Sequence, residues 1–370
     1  MNKIKIDFEM SHGSYLYDIN TASYFLDLQG MYSTLPLGYN HCVFDDDFEY
    51  EIRSLSRIKA THPLLDSQQY QDFIKAFQPY LFSEHVYFAQ SGSLAVEQAL
   101  KCVLAQKRPY SSFIYALNDG FHGRGAWGIA TDSKTYFQDI PILVHTPVVH
   151  RTLDEIILDL EDEINSFLIK GVFVELIQCT AGDIYPTWDK LKKLNQLCTK
   201  RGVAFIIDEV QTGFGVTGSM WHYEQIGLNP DLLIFGKKAQ VSGICVKEPY
   251  HQAIADKILG TTWNGDIIDF VRSKYILKAY KKYALLDRVK YISKSFRDLL
   301  EPLVKNYRSA GNLIAFDFKT KEERDSFVTR AFVHKLYVGE AQDLTVRLRP
   351  NLAFTSEEFD WFKTIINKIL

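Results

Sequence analysis

Residues 232–243 read LLIFGKKAQVSG: an apolar run stops at Gly236, and Lys237 and Lys238 follow side by side. An ammonium group buried at a strand end loses solvation, so its neutral amine becomes accessible and can attack a carbonyl carbon to form a Schiff base. On these grounds alone either lysine qualifies. Two other apolar runs end in the same manner, GVFVE at Glu175 and VAFIID at Asp208, with Glu209 next to the latter. Ligands of a parallel sheet bind outside the carboxyl ends of its strands. Three ionisable groups at three strand ends therefore mark a candidate site. A fourth part is Ser91-Gly92-Ser93, which opens a helical stretch with Leu94, Val96, Ala99, Leu100 and Val103 on its buried side. The first N–H groups of such a helix suit an anion such as phosphate, although a plain serine N-cap explains the same residues.

These parts have complementary work if the carbonyl belongs to pyridoxal phosphate. The turn at Gly92-Ser93 takes the phosphate, and a carboxylate at Asp208 keeps the pyridine nitrogen protonated so that the ring acts as an electron sink. Phe121, in DGFHGRG, is a candidate to stack on that ring, with His122 beside it. Core packing and a hydrogen-bonded loop histidine are the simpler explanations of each residue taken alone. Gly213, Gly215 and Gly218 match G-x-G-x-x-G. The dinucleotide fingerprint, however, needs a strand-to-helix turn with an acid about 20 residues later. Here the acid precedes the glycines, which points to a mobile or tightly packed loop.

The elements that must position these residues follow from hydrophobic patterning. SYLYDI and SYFLDL around Asn20-Thr21 predict a β-hairpin. Residues 47–110 read as mainly helical, with loops around Pro63 and Pro79. From about 113, short β-rich runs (SFIYAL, PILVHT, GVFVELI, VAFIID, DLLIFG) alternate with helical stretches such as TLDEIILDLEDEI and WDKLKKLNQLCTKR. Continuous apolar runs between amphipathic helices predict an α/β domain whose largely parallel sheet is covered on both faces. After about 265, helix-like segments, then NLIAFDF and LTVRLRP, and a closing helix predict a smaller α+β domain.

Bulk properties narrow the class. The 370 residues are 46% hydrophobic and 24% charged, as in an ordinary globular protein. A net charge of −3 argues against a binder of phosphate backbones. No apolar stretch reaches the roughly 18 residues of a membrane span, and the acids near the N-terminus leave no export signal visible, so a cytoplasmic protein is expected. Cys42, Cys102, Cys179, Cys198 and Cys245 are odd in number and lack C-x-x-C spacing, which predicts reduced, mostly buried thiols and no metal site.

SGSLAVEQALK, FHGRG, DEVQTGFGVTG and PDLLIFGKK, in this order, resemble the class III pyridoxal-phosphate aminotransferases. The resemblance runs from SHGSYLYD to VRLRP and so covers nearly the whole chain. SHGSYLYD, FGKKAQVSG and TTWNGD look most like lysine 6-aminotransferases, which transfer the terminal amine of lysine to 2-oxoglutarate. It implies the type I fold of pyridoxal-phosphate enzymes: a large domain, 31–279, with a mainly parallel seven-stranded sheet, and a smaller α+β domain from 1–30 and 280–370. By position, Lys237 matches the Schiff-base lysine and Asp208 the pyridinium partner. Ser91, Gly92, Ser93, Phe121, His122 and Glu175 complete the cofactor site, Val210 packs against the ring and Gln211 approaches its phenolic oxygen. Thr262 matches a threonine that reaches the cofactor phosphate of the neighbouring subunit, which implies a homodimer. Arg347 matches the arginine that holds a substrate carboxylate with two parallel hydrogen bonds; a surface ion pair is its simpler explanation, and Arg349 could be one. Lys238 is expected to point elsewhere, as a loop or interface charge. The partners implied are an amino-group donor and an oxo-acid acceptor.

The family stretch EPIQGEGG stands here as Glu175-Leu176-Ile177-Gln178-Cys179-Thr180-Ala181-Gly182. Its second glutamate, which in ω-aminotransferases pairs with the arginine equivalent to Arg347, is Thr180. The stretch GIATDSKTYFQDIPIL contains Lys134 but no arginine for a lysine α-carboxylate. Another amine, or a decarboxylase or aminomutase on the same fold, is the alternative reading.

Overall fold

In the computed structural model, residues 4–59, 66–106, 113–125, 148–254 and 259–370 are described. They form two compact units, one of Met1–Ser54, Gly213–Met220 and Lys274–Leu370, the other of Leu55–Thr212 and Trp221–Ser273. The boundaries expected at 30/31 and 279/280 compare with 54/55 and 273/274, and the segment Gly213–Met220 is an exchange that no periodicity signals. Residues 31–54 join the first unit through specific contacts: Lys274 Nζ binds Glu51 Oε1 at 2.6 Å, and the rings of Phe48 and Tyr275 meet edge to face.

The first unit begins with β1 (Ile6–His12), β2 (Tyr15–Asp18) and β3 (Ser23–Asp27). The predicted hairpin forms, with Tyr15 opposite Leu26 and Asp18 opposite Ser23. Asp18 closes its turn by accepting from Asn20 N and from Thr21 Oγ1.

The second unit is built on β4 (Val86–Ala89), β5 (Phe113–Leu117), β6 (Val148–Arg151), β7 (Ile169–Glu175), β8 (Ala204–Asp208), β9 (Leu232–Phe235) and β10 (Ser242–Val246). They make one seven-stranded sheet in the order β4-β10-β9-β8-β7-β5-β6. The pairs from β6 through β9 are parallel, whereas β10 runs antiparallel to both of its neighbours. Every residue of β7, β8 and β9 is buried, as expected of strands covered on both faces. The helix Gly92–Leu104 lays Ala95, Val96, Ala99, Leu100 and Val103 into the core formed with these strands; Leu94 is only partly buried.

Three strands of this sheet were not legible. β4 lies inside the stretch read as mainly helical, β6 is four residues that no run announced, and SGICV carries too little pattern to announce β10. Gly243 explains how β10 fits: a Cβ there would lie 2.4 Å from Tyr87 O of β4. The run PILVHT and the loop at Pro63 lie outside the described residues.

The remainder of the first unit contains β11 (Lys305–Ala310), β12 (Leu313–Asp317), β13 (Leu336–Tyr337), β14 (Gly339–Ala341) and β15 (Thr345–Leu348). β11-β12-β15-β14 form an antiparallel sheet, and β13 adds parallel to β3. The long helical segment is two helices, Ile267–Lys282 and Leu285–Leu300, separated where Ala284 takes φ +47°. The closing helix Ser356–Ile369 starts with a reciprocal Thr355–Glu358 capping box. Leu26, Phe296, Phe316, Phe327, Val346 and Phe362 lie at the centre of this unit's core. No helix among the described residues is long and apolar enough to cross a membrane, and no cluster there is placed to hold a metal ion.

Candidate active site

Adjacent parallel strands carry the three candidate groups to one edge of the sheet. Glu175 ends β7 directly opposite Asp208, and Asp208 on β8 lies opposite Ile234 of β9. β9 ends at Phe235, and after Gly236 the chain enters a short 3₁₀ turn, Lys237–Ala239. Lys237 has φ +47°, a left-handed conformation that costs a non-glycine residue about 1–2 kcal/mol. Gln240 N donates to Lys237 O at 2.8 Å and holds that turn. Strain of this kind persists where the surroundings over-determine it, often at sites of function.

Asp208 is buried, and both of its oxygens are engaged. Oδ1 accepts from Val210 N at 2.9 Å, and Oδ2 faces His122 Nδ1 at 2.9 Å. The His122 ring is fully enclosed, its edge against Phe173, and its Nε2 has no partner among the described residues. Facing a carboxylate, Nδ1 carries a proton and donates it to Asp208. Replacing His122 with phenylalanine strands an Asp208 oxygen. A lost bond of that kind costs about 1–3 kcal/mol. We expect pyridoxal-phosphate binding at least about five-fold weaker in His122→Phe, measured by titrating the apoprotein; unchanged affinity would contradict this role.

Glu175 accepts from Phe121 N at 2.8 Å. Burial, and next the charge of Asp208, push its carboxyl well above the usual carboxylate range; the Phe121 amide, the Lys237 charge and the Cys179 amide pull it back. Asp208 and Lys237 thus each lie close enough to act electrostatically on Glu175. The DGFHGRG loop is fastened at its other end to the helix Gly92–Leu104, because Arg124 N donates to Ser93 Oγ at 3.1 Å. Gly123 has φ +95°, and a Cβ there would fall 2.5 Å from Ser93 Oγ. Ser91 is the N-cap of this helix, accepting from Leu94 N. Gly92 and Gly236 flank Val210, whose Cγ1 would lie 3.2 Å and 3.4 Å from a Cβ at either place. The bare backbone at both positions leaves room beside the Val210 side chain. A buried carboxylate, a branched aliphatic face, an amine and a helix N-terminus suit a flat protonated ring with an aldehyde and a phosphate arm.

The sequence also matches the family model for class-III aminotransferases over residues 1–370. The chain belongs to the class-III aminotransferases.

Pyridoxal 5'-phosphate is the cofactor of this class, and the groups gathered at the strand ends fit it. The L-lysine-epsilon aminotransferase of Amycolatopsis lactamdurans is 32% identical, over 96% of this chain and 89% of that one. The acetylornithine aminotransferase of Bacillus cereus is 31% identical, over 78% and 75%. Among solved structures, the lysine aminotransferase of M. tuberculosis in its internal aldimine form superposes with a TM-score of 0.90 at 25% identity, covering 100% of this chain and 95% of that one.

Not every residue singled out in this aminotransferase joins the cluster. Val210 and Gln211 are half-buried just after β8, and Phe121 is half-buried on its loop. Thr262 is exposed, on the turn before the helix Ile267–Lys282. Arg347 belongs to the other unit, half-buried on β15, where its Nη2 donates to Glu340 O at 3.0 Å. Arg349 is not a surface ion pair: it is 4% exposed and its Nη1 donates to Ile314 O and Leu348 O. Lys238, expected as a loop or interface charge, lies in the 237–239 turn and is buried, at 2% exposed. Thr180 is half-buried in the turn after β7, and Lys134 lies outside the described residues. The four cysteines other than Cys42 are buried, and all five are free thiols. The glycines 213, 215 and 218 occupy turns, with no strand-to-helix crossing. The His122–Asp208 pair had no signal in the sequence, because 86 positions separate its members.

Proposed function

We propose that this aminotransferase moves the terminal amine of lysine, or of a related ω-amino compound, to an oxo acid such as 2-oxoglutarate. The adjacency of Glu175, Asp208 and Lys237 at three strand ends carries the catalytic part of the reading. The names and identities of the lysine-epsilon relatives support the choice of amine.

Pyridoxal phosphate, when bound, supplies the electron sink and carries the amino group between the two half-reactions. Lys237 Nζ would hold the cofactor, and as a free amine it would serve as base and then acid, moving the proton at the substrate carbon that bears the amine. Asp208 keeps a proton on the pyridine nitrogen, and His122 Nδ1–H fixes the rotation of that carboxylate. Ser91, Gly92 and Ser93 receive the phosphate, and Phe121 and Val210 confine the ring. Gln211 would approach its phenolic oxygen. Arg347 holds a substrate carboxylate. The enzyme acts as a homodimer in which Thr262 reaches the cofactor phosphate of the neighbouring subunit.

Thr180, in place of the glutamate of the family pattern, favours a second reading in which the amine is not lysine. A threonine cannot form an ion pair with Arg347, so substrates with a carboxylate at that place gain an advantage. One panel separates the readings: lysine, ornithine, 4-aminobutyrate, diamines and α-amino acids, scored by conversion of the bound cofactor in the first half-reaction. Conversion by terminal amines is expected. Conversion by α-amino acids alone would rule out the ω reading, and carbon dioxide release or rearrangement without an acceptor would indicate a decarboxylase or aminomutase.

A further inference from the structure

After β8 the chain leaves the α/β unit and comes back to it. Thr212 and Trp221 belong to that unit, whereas Gly213–Met220 belongs to the other. This tongue is closely held there: a Cβ on Gly215 would come within 2.7 Å of Tyr280 Cε1, and Tyr280 Oη donates to Phe214 O.

Both stems of the tongue are tied to a single side chain in the α/β unit. Glu209, only 1% exposed, accepts through Oε2 from Thr212 Oγ1 at 3.2 Å on the outgoing stem. The same oxygen accepts from His222 N at 2.8 Å on the returning stem, and Oε1 from Tyr223 N at 2.7 Å. Its own N–H donates to Ile234 O at 2.9 Å on β9, the strand that leads to Lys237. Asp208 precedes Glu209, and Val210 and Gln211 lie between it and Thr212. One carboxyl group therefore anchors the segment that carries three residues of the proposed cofactor site.

We propose that Glu209 is a positioning residue for transamination: its carboxyl clasps the two stems of the tongue, holds Asp208, Val210 and Gln211 in register for the cofactor, and clasps more tightly when ionised. The inference rests on the function proposed above. Burial pushes this carboxyl up to about 7, with the Glu224 charge acting in the same direction; the His222 and Tyr223 amides and the Thr212 hydroxyl oppose the shift. Three other titratable groups stand near the clasp. Burial drives His222 down to about 4, raises the Tyr223 phenol far above its ordinary value, and raises Glu224 as well. An ionised acceptor makes the stronger hydrogen bonds. Ionisation near neutrality therefore tightens the clasp while it costs desolvation. Because the folded value is raised, the contribution of Glu209 to stability is complete below the ordinary carboxylate range and is lost as pH rises through about 7.

The test compares the parent with Glu209→Gln, which keeps the shape and cannot ionise, and with Glu209→Ala. Each apoprotein is titrated with pyridoxal phosphate from about pH 6 to about pH 8, alongside its melting temperature. Between these limits the parent should gain about five-fold in cofactor affinity relative to Glu209→Gln, the ratio that follows from strengthening its bonds by about 1 kcal/mol. Its melting temperature should fall with pH where that of Glu209→Gln does not. Glu209→Ala, if it folds, should bind the cofactor more weakly at every pH; if it does not fold, the comparison with Glu209→Gln decides. Parallel affinity profiles in the parent and Glu209→Gln would overturn the clasp, even with different melting temperatures, because a merely structural carboxyl moves only the latter. A parent that takes up no pyridoxal phosphate overturns the proposed function and the clasp together, whereas parallel profiles in a cofactor-binding parent overturn the clasp alone.

Discussion

Lys237→Ala should lose transamination by roughly four orders of magnitude, the upper range for a positioned proton-transfer group. It should also lose the visible absorption that borohydride bleaches in the parent holoenzyme. The expectation rests on its place directly after Gly236, on the strained φ of +47°, and on its electrostatic reach to Glu175. Lys238→Ala is the informative control. Its side chain is buried, so its removal should lower the melting temperature through lost packing and lost polar contacts. The absorption should remain. If instead Lys238→Ala bleaches the protein and Lys237→Ala does not, the assignment of the two lysines is reversed. A shared loss in both variants would point to collapse of the 237–239 turn, which the melting curves would register.

Asp208→Asn should be the next most damaging change, lowering kcat by about 10²–10³, the usual cost of removing one preorganised charge from a water-excluded site. The amide keeps the shape of the carboxylate but can no longer stabilise a protonated ring nitrogen. It also changes the partner of His122 Nδ1, which faces Oδ2 at 2.9 Å. The measurement is single-turnover conversion of the loaded cofactor by a saturating amine, which separates chemistry from binding. A variant that is slow only because the cofactor dissociates would recover its rate at high pyridoxal phosphate. Full recovery would assign Asp208 to binding and remove it from the chemical step.

The legible and illegible parts of the site differ in kind. Glu175, Asp208 and Lys237 could be found because each ends an apolar run, and burial on both faces turns a strand into such a run. The helix after Ser91 was equally visible, since capping chemistry and a 3.6-residue period reinforce one another. β4, β6 and β10 were not, because four or five residues carry no periodicity above chance. The break at Ala284 was hidden for a related reason: a single left-handed residue between two good helix formers leaves no mark in composition.

Charge alone says little about burial. Arg349 could be read as a surface ion pair beside Arg347, yet it is buried, and Lys238, placed on a loop as expected, is buried there too. Arg349 is satisfied by carbonyl oxygens at the end of β15 and on β12, a partnership that depends on strand register and on no neighbouring residue.

Ordered motifs and local patterns were enough to name the class of this protein and its cofactor, and to single out the lysine and aspartate proposed for the chemistry. Only the tertiary structure decided which groups hold them. It brought His122 to Asp208, fastened Ser93 to the 118–125 loop and set one buried glutamate across both stems of the tongue. Hydrogen bonds between residues far apart in the chain are specified by how strands and helices pack, and local patterning carries no record of them.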